Sequence, residues 1–243
     1  MSRRFYAWHR WLGLVVGVQL ALWTVGGLIF ATHDIAWVRG EDGRASERAR
    51  TLDAGQVRVE PGAALARLGD PERVERVVLR MLLDRPVYEV VHSGGTALID
   101  AVTGDLASPV DRDTAVAIAR ADRREPPQVA EVTLIEADPP TEYRGGDLPA
   151  WRVALADDDD THIYVAADSG RITARRNDAW RRFDFFWMLH TMDYGGRDDF
   201  NHPLLIAAAG LAVVTLGSGF LLWWLRLRRR RRRASASRSS PRA

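Results

Sequence analysis

Two long stretches without a charge constrain this chain more than anything else in it. Residues 11–32 and 203–225 contain no Asp, Glu or Arg, and Gln19 is the only strongly polar side chain in the first. At 1.5 Å per residue, helices of these lengths cover about 33–35 Å, enough to cross a hydrocarbon core of about 30 Å. Neither stretch has the polar face of an ordinary globular helix. Both read as transmembrane helices. The first exceeds the 7–15 residues of a signal-peptide apolar core, and Ala31-Thr-His33 is not a small-x-small cleavage site, so it reads as a retained span.

Charge orients the two spans. All 34 basic residues are arginine, and the formal net charge is only +2. Residues 1–10 carry Arg3, Arg4 and Arg10 without an acid, and residues 226–243 carry nine arginines without an acid. Between them stand 22 basic against 32 acidic side chains, a net of −10. Positive segments stay on the cytoplasmic side, so both termini are expected in the cytoplasm of a bacterial inner membrane, with residues 34–202 outside. Trp8, Trp11, Trp37, Trp223 and Trp224 fall near the boundaries as interfacial anchors. The arginine run reads as topology and attraction to anionic lipid, not as a nucleic-acid site. Gly13, Gly17, Gly26, Gly27, Gly210, Gly217 and Gly219 let helices approach closely, either in the chain's own pair or in a homodimer.

Between the spans, residues 34–60 read as a polar linker, and the remainder contains a duplicated pattern. Residues 61–110 give a helix near 61–68, strands over 74–83 and 87–92, a Ser93-Gly94-Gly95 turn and a strand over 97–100. Residues 111–178 give a helix near 113–123, then strands over 129–136, 151–155 and 162–166. Pro86-Val-Tyr88-Glu-Val90 answers Pro149-Ala-Trp151-Arg-Val153, and the hairpin end at Thr103-Gly104 answers Ser169-Gly170. Short alternating strands joined by Gly or Asp turns predict antiparallel hairpins, each copy a helix on a small sheet. Neither copy buries much alone, so a shared core is expected.

These hairpin units resemble the PepSY domain. The segment His9-Arg-Trp-Leu-Gly13 at the first span is similar to the start of the PepSY-associated transmembrane helix family. Leu189-His190-Thr-Met-Asp193-Tyr194 and Phe200-Asn-His202-Pro-Leu204 resemble that family's approach to its next helix. The resemblance implies an α+β membrane protein, with two transmembrane helices flanking an extracytoplasmic duplicated PepSY-like domain. PepSY domains occur in protease propeptides, which implies inhibition, chaperoning or another non-enzymatic binding role towards a periplasmic protein partner. Larger multi-span relatives are linked to reduction of iron–siderophore complexes through haem, which implies an alternative as a haem-binding electron-transfer subunit. This chain has fewer spans than those relatives.

Chemistry has few places to reside. The absence of cysteine excludes disulfides, thiolate metal sites and a cysteine nucleophile. There is no Gly-rich phosphate loop, no His-Glu-x-x-His and no Gly-x-Ser-x-Gly elbow, so no enzymatic activity is expected. Residues 179–202 read as an interfacial aromatic helix and loop, with Trp180, Phe183, Phe186, Trp187 and His190 at helical spacing. His33, His190 and His202 are the candidate haem b ligands. Haem needs axial nitrogens facing an apolar slot, and antiparallel spans would place His33 and His202 at similar depth. Their bland alternative is an amphipathic residue at the membrane boundary. His9 is expected among headgroups, the acids at 157–160 in a solvated turn, and His92 and His162 at exposed hairpin edges.

Overall fold

The computed structural model describes residues 3–45, 52–69 and 73–238. The chain divides into two compact units, residues 1–32 with 183–243, and residues 33–182.

The first unit is built on α1 (Arg3–Thr32) and α6 (Pro203–Arg238). Arg4–Thr32 and Pro203–Arg231 are long and apolar enough to cross a membrane. Helix α6 continues beyond the uncharged run because arginine, alanine and serine follow, with no Gly or Pro before Pro241. The two helices run antiparallel, with His9 against Ser218 and Gly13 against Thr215. Extended at 3.6 residues per turn, that register sets Pro203 opposite about residue 25, roughly two turns short of the end of α1. The similar depth of His33 and His202 expected for antiparallel spans is therefore not what this register gives. The pairing is set by where small residues allow contact, not by run length.

Helix α5 (Asp178–Thr191) occupies the vacated flank of α1. Phe183 packs on Phe30 with ring centroids 4.5 Å apart, and His190 lies over Gly26. Gln19 Nε2 donates to the Leu189 carbonyl at 3.0 Å and Trp23 Nε1 to the His190 carbonyl at 2.7 Å, so two polar groups of the span cap the C-terminal end of α5. The segment expected to lie flat at the interface instead runs antiparallel along α1. Gly13, Gly26 and Gly219 serve packing within this unit, whereas a Cβ at Gly17, Gly27, Gly210 or Gly217 would meet no described atom across the helix surface within 4 Å.

The second unit holds two antiparallel sheets. The first contains β1 (Val74–Leu82), β2 (Arg85–His92) and β3 (Gly95–Asp100) in that order. The second contains β4 (Val129–Ile135), β5 (Ala150–Leu155), β6 (His162–Ala166) and β7 (Ile172–Arg176) in that order. β7 is not among the strands that the sequence pattern predicts; it forms by pairing with β6. Equivalent bonds recur in both sheets. Ala101 N donates to Pro86 O and Ala167 N to Pro149 O, each at 2.9 Å. Gly104 (φ +80°) and Gly170 (φ +60°) close the hairpin ends in the left-handed region that favours glycine.

Each sheet is covered by a helix. On the first, α3 (Pro61–Ala66) buries Ala64 against Tyr88, Val90 and Ile99. On the second, α4 (Arg112–Ala121) starts at Asp111, whose side chain accepts from Thr114 N at 2.8 Å. Its buried face, Ala115, Ile118 and Ala119, meets Val153, Leu155, Ile163 and Val165. Leu82 and Trp151 pack against a further cluster of Val87, Leu98 and Val110, so the sheets share apolar core. The described part of the polar linker is fixed more firmly than its composition suggested. Short α2 (Ile35–Val38) buries Val38, Ala45 N donates to Asp122 O at 2.8 Å, and Arg58 N and Val59 N both donate to Ala101 O.

Candidate functional site

In the membrane unit, α5 presents His190 to α1. Its ring is boxed by Trp23, Phe30 and Trp187, at centroid distances of 6.1, 5.7 and 6.4 Å. Nδ1 is buried and meets no hydrogen-bond partner among the described residues. An unpaired buried nitrogen costs stability, so this one stands out. His202, just before α6, is fully engaged: Nε2 contacts the Thr191 carbonyl at 2.9 Å and Nδ1 accepts from Leu205 N at 3.4 Å. Those contacts require the Nε2–H tautomer and leave no lone pair for a metal. His33 belongs to the other unit, where its ring stacks on Trp37 at 5.7 Å. Of the three histidines, His190 alone carries a buried ring nitrogen without a hydrogen-bond partner among the described residues, and a haem held between His190 and His202 does not fit the bonding of His202.

His9 is not a headgroup anchor. Its Nδ1 lies 2.7 Å from Ser218 Oγ, and Ser218 itself donates to the Thr215 carbonyl at 2.8 Å. The pair therefore ties α1 to α6. Asp193, in the segment that follows α5, accepts backbone N–H bonds from Gly195, Gly196, Asp198 and Asp199 at 3.1–3.2 Å. Those bonds, the one from Asp199 foremost, hold its carboxyl below the ordinary range. Its role is to fold the loop that leads into α6.

In the other unit, the turn Thr141–Tyr143 carries Glu142 against the start of β6 and the first turn of α5. Oε1 accepts from His162 Nδ1 at 2.6 Å and from Tyr164 Oη at 2.5 Å, and Oε2 accepts from Arg181 Nε at 2.7 Å. Burial alone would raise this carboxyl, but the bonds from His162, Tyr164 and Arg181 outweigh it and hold it at about 2. Burial, then the bond to Glu142, pushes the Tyr164 phenol up. A carboxylate that stays ionised and a phenol that stays protonated do not exchange protons near neutral pH. This cluster ties the turn at Glu142 to β6 and to the first turn of α5. His162, expected at an exposed edge, is a member of it, with a side chain only 15% exposed. No periodicity marks Glu142, which sits in an irregular loop; only tertiary contact identifies it. Among the described residues, no three His, Asp or Glu side chains are placed to hold a metal ion.

The same unit contains an open cavity of about 590 Å³ between the β1–β2 turn and the start of α4. Leu82, Leu83, Leu106 and Pro109 line it with Asp84 and Asp113. Leu83 there adopts φ +54°, a conformation costly for a branched side chain.

Compared with known proteins, residues 6–243 match the family described as PepSY-associated TM region. No curated protein and no solved structure matches.

Proposed function

The chain belongs to the PepSY-associated TM region family, and on that premise we propose that it is an inner-membrane protein whose unit over residues 33–182 acts in the periplasm as a non-enzymatic binding or regulatory module. One observation carries this reading: the cavity beside the β1–β2 turn joins an apolar lining to four acidic side chains, Asp84, Asp100, Asp111 and Asp113, against the single arginine Arg85. Such a lining suits a protein segment offering an apolar side chain with a basic neighbour. Leu106, 58% exposed at the cavity, is the natural place to probe it. With a photo-reactive amino acid at Leu106 of the full chain in its own membrane, illumination is expected to give a discrete cross-linked protein. That product should be lost with Asp84→Arg. A product unchanged by Asp84→Arg, or none, would sink the reading.

The arginine distribution supports both termini in the cytoplasm. Reporter fusions after residue 60 and at the C-terminus are expected to report opposite sides, the latter cytoplasmic. Open faces at Gly17, Gly210 and Gly217 support pairing of two copies through the membrane unit.

A second reading, as a haem-binding electron-transfer subunit, is favoured by the unpartnered Nδ1 of His190 in its aromatic box. Haem bound there would supply one-electron redox chemistry, and the chain would supply one imidazole and an apolar wall. An absorption spectrum of protein from haem-replete cells decides it. A Soret band abolished by His190→Ala supports this reading, and a colourless folded protein removes it.

A further inference from the structure

At the arginine-bearing end of the membrane unit, two cavities share one wall. The outer, about 450 Å³, is lined by Tyr6 of α1 and by Leu222, Trp223, Leu225, Arg226 and Arg229 of α6. The second, about 470 Å³, continues along α6 past Trp223 to Phe220 and Leu216. Residues 216, 220, 223 and 226 fall at i, i+4, i+7 and i+10, so they line one face of the helix. From residue 216 to 226 that face runs about 15 Å, the order of an acyl chain.

Charge along this groove is one-sided. The sequence has no Asp or Glu before Asp34 or after Asp199, so no acidic side chain of either helix can neutralise Arg226 and Arg229. Arg228 is already used, its guanidinium 3.9 Å from the centroid of Trp224. Arg226 and Arg229 instead line the cavity together with a phenol, while the deeper part offers Trp223, Phe220 and Leu216 beside His9 and Thr215. His9 Nδ1 is already bonded to Ser218, and the Thr215 hydroxyl to the Leu211 carbonyl. Two guanidiniums a turn apart suit the oxygens of a phosphate, and basic pockets beside membrane helices take anionic headgroups.

We propose that this groove binds one anionic phospholipid, its phosphate held by Arg226 and Arg229 and its acyl chain laid along Trp223, Phe220 and Leu216. The proposal rests on α1 and α6 spanning a bilayer, not on which side the arginines face, so a reversed topology in the fusion assay would leave it standing.

The test is native mass spectrometry of the full chain extracted in mild detergent, paired with thermal unfolding in nanodiscs. About one anionic phospholipid per chain is expected to remain bound. Adding phosphatidylglycerol to neutral nanodiscs should raise the melting temperature, and inorganic phosphate should not. In R226Q/R229Q the retained lipid should vanish and apparent affinity fall about thirtyfold, as loss of two cationic contacts predicts. R230Q/R231Q, which removes the same charge at two residues that do not line the groove, should keep both. Equal loss in the two pairs would show diffuse attraction and overturn the site. A response to inorganic phosphate alone would reassign it to a free anion. A retained molecule other than a phospholipid, or no retained lipid, would also overturn it.

Discussion

In the first sheet a buried carboxylate, Glu89, stands in a strand; beside the second a half-buried one, Glu142, stands in a short turn. Glu89 of β2 is 2% exposed and is held by Arg80 of the neighbouring strand and by Arg171 of the other sheet's hairpin, at 2.6 and 2.9 Å. Arg80 also donates to the Ser169 carbonyl. Glu89 therefore fastens one sheet to the other. Its counterpart in the duplicated pattern is Arg152, which reaches Glu131 at 3.1 Å on a much more open surface. Glu142, with no counterpart in the first copy, fastens the second sheet to the first turn of α5. Backbone hydrogen bonds are duplicated and charges are not. Hydrogen-bond geometry is imposed by the hairpin itself, whereas each buried acid is retained only where a particular neighbour brings arginine.

The sharpest way to break that comparison is to remove Glu89. Glu89→Ala strands the Arg80 guanidinium at the junction of the sheets, while Arg171, half exposed, stays wetted; the expected cost is about 3 kcal/mol, read as a fall in melting temperature of the full chain. Glu142→Gln should cost less, on the order of 2 kcal/mol, because the amide still accepts from some of its donors. The two effects should add within about 0.5 kcal/mol, since the acids share no partner; strong coupling would show that the two fastenings are one.

Acid separates them further. The folded pKa of Glu142, about 2, lies below the ordinary 4.5, so its contribution is present above pH 4.5 and is lost as pH falls towards 2. Burial opposes ionisation of Glu89 as well, but Arg171 and Arg80 outweigh it, so its contribution is also lost on the acid side. Between pH 5 and 2, wild type should lose stability more steeply than Glu142→Gln, measured by denaturation at each pH. Parallel curves would contradict the bonding drawn for Glu142.

The smallest effects concern the aromatic residues that answer one another in the two copies. Tyr88 Oη donates to the Val59 carbonyl at 2.7 Å and Trp151 Nε1 to the Val110 carbonyl at 2.9 Å. Tyr88→Phe and Trp151→Phe should each cost about 1 kcal/mol from the lost bond, with Trp151→Phe the larger because the indole also packs between the two cores. Equal values would show that the Trp151 ring contributes nothing beyond its bond.

Much of the fold was legible from local pattern. The 22- and 23-residue uncharged stretches marked α1 and α6, and alternating strands with Gly turns marked six of the seven strands. β7 escaped because Ile-Thr-Ala-Arg-Arg has too few apolar positions to show alternation; pairing with β6 makes it a strand. The candidate sites were less legible. His190 was visible through its aromatic spacing, but the engagement of His202 and the burial of His162 depend on partners 11 and 20 residues away or more.

Sequence alone therefore determined which segments are apolar enough for a bilayer, where the charge lies, and which hairpins form, because these follow from composition, period and turn chemistry close along the chain. Tertiary structure decided that α5 fills the flank of α1, that His9 meets Ser218, and that Glu89 and Glu142 stay ionised in low-dielectric surroundings. Each of these depends on groups far apart in the chain, and the free energy of a buried polar group is set by whichever partner arrives, not by its own neighbours in sequence.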